Sequence, residues 1–555
     1  MNFKETSSLL LDGASESCYG SQISQSSTEQ GIQDQDIEFQ TANNTSSLPQ
    51  IHEPQHKHAA TKRLLNQRHI TMLSIGGIIG TGFFFGINLT LIHGPIISLI
   101  SFIYLSFLSY IIIQSVGEMS CFSPLNGSLC QFQYLYISDI IGFLNNLIYW
   151  ISWSITLSLE LNLIFEILKF WNLSGLFSNQ LVVILIFWVC LTVFNLFPVN
   201  YYGEIEFFIT LFKVCFIISW IFLSIWLILT NKVGFKNWNR NLIWGMDTIQ
   251  VVKNPTENKI LNILSSLVAS CFTFQSIESI ALCSGEIQNI HKTLPTTVKY
   301  VISRLVIFYI LTLFLLTIMV PSDDSKLTGD SRNIFASPFL IGLINCGLNM
   351  SSVILSIFNF IILMSIISAA NSNIYFGSRC LISMVEKNMF WETFGKTNKY
   401  GIPYYAVLLT SILGLIPSLL SSHKSFDLIF KVLINLSATS GLLMWLFISI
   451  SYIRFREVLK YNKLQYENLA FKSTKLDMIK MSHISIVSII IIIISNGIIN
   501  IWDFTWDSFW SCYLTSIIII LGWIVLSIKW KQFAFLKPIS TVDIFTDQSP
   551  FAFKK

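Results

Sequence analysis

Ser74-Ile75-Gly76-Gly77-Ile78-Ile79-Gly80-Thr81-Gly82 lies inside the first long apolar run of the chain, which extends from about residue 70 to 92. Four glycines within seven residues disfavour a continuous helix, since each costs on the order of 1 kcal/mol against alanine in a helix interior. In a bilayer, every backbone amide freed by a break needs another partner. An interrupted membrane helix is therefore tolerated only where the open backbone lines a cavity or is covered by protein. One reading is a ligand site at mid-membrane, with half-helix N-termini facing an anionic group as in secondary transporters. The other is close helix–helix packing through small residues. The glycines alone do not choose between them.

The rest of the chain places this stretch in a membrane. Of 555 residues, 53% are hydrophobic and only 12% charged, whereas a soluble domain carries roughly 25% charged residues. The apolar residues fall in about twelve runs long enough to cross a bilayer, near 69–93, 95–117, 140–170, 180–199, 203–230, 260–284, 299–320, 348–378, 403–421, 427–451, 482–501 and 509–529. The expected fold is an all-α membrane protein, with a transporter domain over residues 62–531.

Positive charges set the orientation. Lys62, Arg63 and Arg68 precede the first run; His291, Lys292 and Lys299 follow the sixth; Arg379, Lys387, Lys396 and Lys399 follow the eighth. Further lysines and arginines fill the connection after the tenth run and close the last one. With alternating spans all of these share one side, which makes that side, and both termini, cytoplasmic. The connection 231–259 also carries lysines on the opposite side and does not fit this pattern.

Residues 1–61 are rich in Ser, Gln, Asn and Thr without apolar periodicity, and are expected to form a disordered cytoplasmic tail rather than a cleavable signal. Its lysines, Lys4 and Lys57, would be sites for trafficking and ubiquitination machinery; the alternative is a plain solvated tail. Residues 532–555 form a second, short tail. The ten cysteines are scattered, with no CxxC pair and no His/Cys cluster, so they read as buried small hydrophobes. No metal, cofactor, nucleic-acid partner or enzymatic chemistry is implied.

Charges within membrane runs are costly and mark function. Glu160 lies midway along the third run among apolar neighbours, which requires a proton or a cationic partner. Lys213 lies within the fifth run and reads as a fixed cation facing the bundle, which argues for protons rather than sodium as the driving ion; the alternative is a snorkelling lysine. Glu118 closes the second run, where a helix-end or gate role is expected. Glu166 and Lys169 are three apart on one helix face and pair with each other. In the sixth run, Cys271-Phe272-Thr273-Phe274-Gln275-Ser276-Ile277-Glu278-Ser279 is a polar cluster that reads as a second interrupted helix, five runs after the first. Unusual segments at matching places in two halves point to a transport site.

At these residues the chain resembles the fungal plasma-membrane amino-acid permeases of the amino acid–polyamine–organocation superfamily, closest to the arginine/lysine permeases. The resemblance is carried by Ser74 to Gly82, Gly117-Glu118-Met119, Leu159-Glu160-Leu161, Phe272 to Glu286, Ile367 to Tyr375 and Trp445 to Phe455. It implies a LeuT-like fold of two inverted five-helix repeats plus two extra helices, and proton-coupled import of basic amino acids by alternating access. Backbone amides at Gly80, Thr81 and Gly82 would hold the substrate carboxylate, and carbonyls at Phe272, Thr273 and Phe274 the α-amino group. Glu160 and Glu278 would lie near the cationic side chain or in the proton path, with Lys213 replacing the cation site of sodium-coupled relatives. Ser152 and Ser437 match positions that tune arginine against lysine; serine looks arginine-like at the first and lysine-like at the second, so the pair does not choose between the two substrates. Ser276 stands where the family usually has glycine. A broader amino-acid, S-adenosylmethionine or polyamine carrier, or an amino-acid sensor on the same fold, remains an alternative.

Overall fold

The computed structural model describes residues 62–553, apart from 77–78, 172–174, 349–351, 421–425, 474–475 and 499–503, most of 232–254 (Phe235 and Trp238 are described) and most of 325–336 (Leu327 is described). The N-terminal tail and most of the discordant 231–259 connection lie outside the described residues. Helices account for nearly all regular structure: α1 Gln67–Gly76, α2 Gly82–Leu91, α3 Pro95–Phe122, α4 Ser128–Tyr136, α5 Asp139–Leu168, α6 Gln180–Phe194, α7 Val199–Thr230 and α8 Pro255–Phe274. There follow α9 Ile290–Met319, α10 Pro338–Asn345, α11 Ser352–Glu386, α12 Tyr404–Leu420, α13 Phe426–Tyr461, α14 Met478–Ser495 and α15 Trp506–Trp530. Among the described residues nine segments are long and apolar enough to span a bilayer, and the shorter apolar helices α2, α6 and α12 take the places of the first, fourth and ninth runs.

Local chemistry sets several starts. Ser138 Oγ accepts from the Ile141 N–H at the head of α5, Asn179 caps α6 and Asp477 caps α14, each satisfying a donor the helix leaves open. Pro95 opens α3, where its missing N–H costs nothing. The longest interior helices, α5 and α13, are buried over most of their length, while α7 and α15 present apolar faces outward as a lipid belt.

The first span breaks between α1 and α2. The sixth breaks where α8 ends at Phe274, and its second half, Ile277–Glu286, continues as a buried 3-10 segment. The two breaks pack on each other. A Cβ on Gly82 would come within 2.9 Å of the Phe272 carbonyl oxygen, so only glycine admits this approach. The Thr273 hydroxyl donates to the Gly82 carbonyl at 3.0 Å, and the Tyr309 hydroxyl donates to the Thr273 carbonyl at 3.1 Å. The close-packing reading of the glycine stretch is thus met at Gly82, where the broken first span meets α8.

Several charges resolve as expected. Lys169 pairs with Glu166 at 2.8 Å. Glu118, at the end of α3, accepts from the Tyr452 hydroxyl at 2.6 Å and the Ser473 N–H at 2.7 Å, fastening α3 to α13 and to Ser473. Arg379 differs. It is no loop charge but a buried residue of α11, paired with Glu286 at 3.1 Å, with its guanidinium 3.8 Å above the Tyr375 ring. A run of apolar residues ends at the first arginine in a hydropathy count, yet a helix continues past one whose charge is met from another element.

The last residues are packed against the same face. Lys537 pairs with Asp139 at 2.8 Å, the Ser549 N–H donates to the Phe122 carbonyl at 2.8 Å, and Leu469 bridges Phe553. The Asp543 carboxylate accepts from the hydroxyl of Thr546 and from two backbone N–H groups, which holds it below the usual aspartate range.

Candidate functional site

The two breaks enclose a small cavity of about 40 Å³. Gly80, Thr81 and Gly82 form one wall, Phe272, Thr273, Gln275 and Ser276 a second, and α5 and α11 the remainder. At the head of α2 the Phe83 and Phe84 N–H groups both donate to the Gly80 carbonyl, at 3.1 and 3.2 Å. Glu160 is the one carboxylate among the described lining residues; it is buried and accepts the Thr81 hydroxyl. Two further lining side chains, Trp153 and Asn373, each keep a buried nitrogen without a partner.

Of the residues singled out from sequence, Gly80, Thr81, Gly82, Glu160, Phe272 and Thr273 come together on the wall. Phe274 turns away to pack on Tyr309 and Phe102, with ring centroids at 4.8 and 5.2 Å. Glu278 is fully buried behind the site, accepting from the Tyr149 hydroxyl at 2.6 Å and the Trp445 indole at 2.8 Å. Ser152 and Ser437 also sit behind the wall. They touch each other at 3.3 Å, and Ser437 meets the lining residues Thr156 and Gln275.

Lys213 lies beneath the break of the first span. Its ammonium donates to the carbonyls of Gly76 and Ile79 at 3.2 and 3.0 Å and to the Ser368 hydroxyl at 2.9 Å. Ser368 in turn donates to Glu206, a buried carboxylate whose other oxygen has no partner. Arg304 donates to the carbonyl of Ser74 and, at 2.8 Å, to its hydroxyl. Sequence reasoning missed Glu206 and Arg304. The signal was present for Glu206, which stands two helical turns before Lys213 on α7 and so shares its face.

The Glu286–Arg379 pair ties the second half of the sixth span to α11, the helix that carries Ala369, Ser372, Asn373 and Phe376 of the cavity wall. Tyr375, whose hydroxyl donates to Glu286, stacks on Tyr202 at 4.2 Å, and the Leu65 N–H donates to the Glu286 carbonyl at 3.0 Å.

Ser276, which replaces an expected glycine, has φ +74° at the break of the sixth span. An L-residue in this region costs roughly 1–2 kcal/mol. Ser276→Gly is therefore expected to stabilise the purified protein by about 1 kcal/mol, seen as a raised melting temperature. A lowered one would mean that the hydroxyl contributes more than the strain costs.

The family described as amino acid permease matches residues 69–537. A probable lysine/arginine permease of Candida albicans is 37% identical over 87% of this chain and 85% of its own length. The lysine-specific permease of Saccharomyces cerevisiae is 34% identical over 88% and 79%, and a basic amino-acid permease of the same yeast 33% over 92% and 87%. Among solved structures, a manganese transporter of Eremococcus coleocola aligns with a TM-score of 0.52 at 13% identity over 84% of this chain and 94% of that one. MhsT in complex with L-phenylalanine aligns at 0.51 and 12% over 78% and 99%. Both have the LeuT-like fold, and the likeness extends to the fold alone.

Proposed function

The chain belongs to the amino acid permease family, and from that premise we propose that it imports basic amino acids, arginine or lysine, across a fungal plasma membrane, driven by protons. The observation that carries this reading is the cavity between the two breaks, lined by Gly80, Thr81 and Gly82 of the first break and by the buried Glu160, whose carboxylate accepts the Thr81 hydroxyl. An anion-binding and a cation-binding element within one small volume suit a zwitterion with an additional positive charge.

Lys213 supports protons over sodium. In broken-helix carriers, carbonyls of the unwound backbone coordinate the driving metal ion; here a fixed ammonium takes two of them. Glu160 carries the proton. Spans 1, 2, 6 and 7 rock against the remaining helices, and the Glu286–Arg379 pair opens when substrate leaves toward the cytoplasm. Both termini lie on that side, as the lysines and arginines of its loops require, where the tails meet trafficking and ubiquitination machinery.

The test is uptake of labelled arginine, lysine and leucine into yeast cells lacking their own permeases, at acidic and neutral outside pH, with and without a protonophore. Saturable arginine or lysine uptake that collapses with the protonophore, with leucine excluded, is expected. No uptake of any of the three, from protein shown to be at the surface, would overturn the reading.

A further inference from the structure

Beyond α15 the chain turns back onto the helix bundle. Lys537 fastens it to the head of α5, with its ammonium on the Asp139 carboxylate at 2.8 Å and its N–H on the Ile137 carbonyl at 2.7 Å. Arg454 of α13 donates to the Lys537 carbonyl. Val542, Ile544 and Ala552 are buried, so the segment is packed rather than draped. Further on its partners change. The Ser549 N–H donates to the carbonyl of Phe122, the last residue of α3, at 2.8 Å. The Ser549 hydroxyl lies 2.6 Å from Nε2 of His291, in the first turn of α9. Phe551 packs on the His291 ring with centroids 5.3 Å apart, and Phe553 meets the Phe122 ring edge-on at 5.9 Å. The Ala470 N–H, just after α13, donates to the Ala552 carbonyl at 2.9 Å, and Leu469 bridges Phe553.

These contacts fall on two sets of spans. α3 and α9 are the second and seventh, whereas α5 and α13 are the third and tenth. We propose that residues 537–553 are a strap that ties the moving spans to the stationary ones, so that the cavity opens on this face only when the 549–553 end lets go. This rests on the rocking of spans 1, 2, 6 and 7 given above. The start of the strap is tied to α5 and α13 and keeps its place during that motion. Its end holds α3 and α9 on one side and residues 469–470 on the other, and these separate when the bundle rocks. Contacts made in one conformation and lost in the other shift the balance between the two by their own worth. Ser549 is where the strap is most exposed to that motion, since its N–H and its hydroxyl reach both moving helices at once. Its role is positioning: it touches neither the cavity nor a substrate.

The test reads opening directly, by the rate at which a maleimide modifies Cys283 in the purified protein, followed residue by residue with mass spectrometry. Cys283 is buried three residues before Glu286, in the second half of the sixth span. Cys346, buried after α10 at the other end of α9, serves as the control for general loosening. A chain shortened to end at Phe545 loses the contacts of Ser549 to Phe553 and keeps those of Lys537. Its Cys283 is expected to react about tenfold faster than in the intact protein, the worth of one to two net hydrogen bonds, with Cys346 unchanged. Ser549→Ala, which keeps the backbone contact to Phe122, is expected to give a smaller rise in the same direction. A Cys283 rate unaltered by the truncation would overturn the proposal. An equal rise at Cys283 and Cys346 would overturn it too, because the segment would then support the fold as a whole. Labelling needs no substrate, so a failed uptake assay leaves this test standing, and an unresponsive Cys283 leaves the substrate reading intact.

Discussion

Glu160→Gln is expected to reduce uptake of basic amino acids to background at every outside pH, with the protein still at the cell surface and its melting temperature unchanged. Glutamine keeps the shape and still accepts the Thr81 hydroxyl, so the wall between α2 and α5 stays in place. What it removes is the ability to gain and lose a proton at the one carboxylate on the cavity. Burying a neutral amide costs less than burying a carboxylate, so no loss of stability accompanies the loss of transport. The measurement is uptake against outside pH, normalised to surface protein. Normal pH-driven uptake in the variant would remove Glu160 from the mechanism and point to Glu206, the other buried carboxylate near the first-span break.

The second large effect is at Lys213. Replacing it by methionine keeps the apolar stem but withdraws three donated hydrogen bonds, two of them to carbonyls that no helix satisfies. Each buried acceptor left unmet costs on the order of 1–3 kcal/mol, and Glu206, linked through Ser368, loses the nearby positive charge. A destabilisation of about 3–5 kcal/mol is expected, comparable to stripping one partner from a buried ion pair. It would be read as a lower melting temperature in detergent together with loss of uptake. A Lys213→Met protein that melts like the wild type would show that the carbonyls of Gly76 and Ile79 find other donors, and that the lysine is not what holds the break open.

The ion pair at Glu286 and Arg379 shows the limits of reading charges from a sequence. Arg379 stands at the end of an apolar run, where a count of positive charges assigns it to a loop. In the fold it lies ten residues beyond Ala369, a cavity-lining residue of the same helix α11, and meets a carboxylate 93 positions away. A lone charge looks the same in a sequence whether it snorkels, faces water or is paired, because the pairing is made between elements distant in the chain. Lys213 and Glu206 escape this in part, since both lie on one helix face and a seven-residue spacing brings them into line. Ser368, which joins them, comes from α11 and has no such signal.

What the sequence determined by itself is everything that a bilayer dictates locally: the twelve apolar runs, because a hydrocarbon core of set thickness demands helices of set length, and the two breaks, because glycines and a polar cluster cannot continue an apolar helix without a cavity or cover. Which residues of those two stretches would form the wall came from the family resemblance, and Gly80 to Gly82 with Phe272 and Thr273 do line the cavity. Only the tertiary structure decided which side chains close the site between them. Phe274, the last residue of α8, packs on Tyr309 and Phe102, and Glu278, in the 3-10 continuation, is directed to Tyr149 and Trp445. Gln275 lines the cavity and is held there by Ser437 of α13, 162 positions away. Such contacts depend on how helices cross, and crossing geometry is a property of packed surfaces that no local window of residues contains.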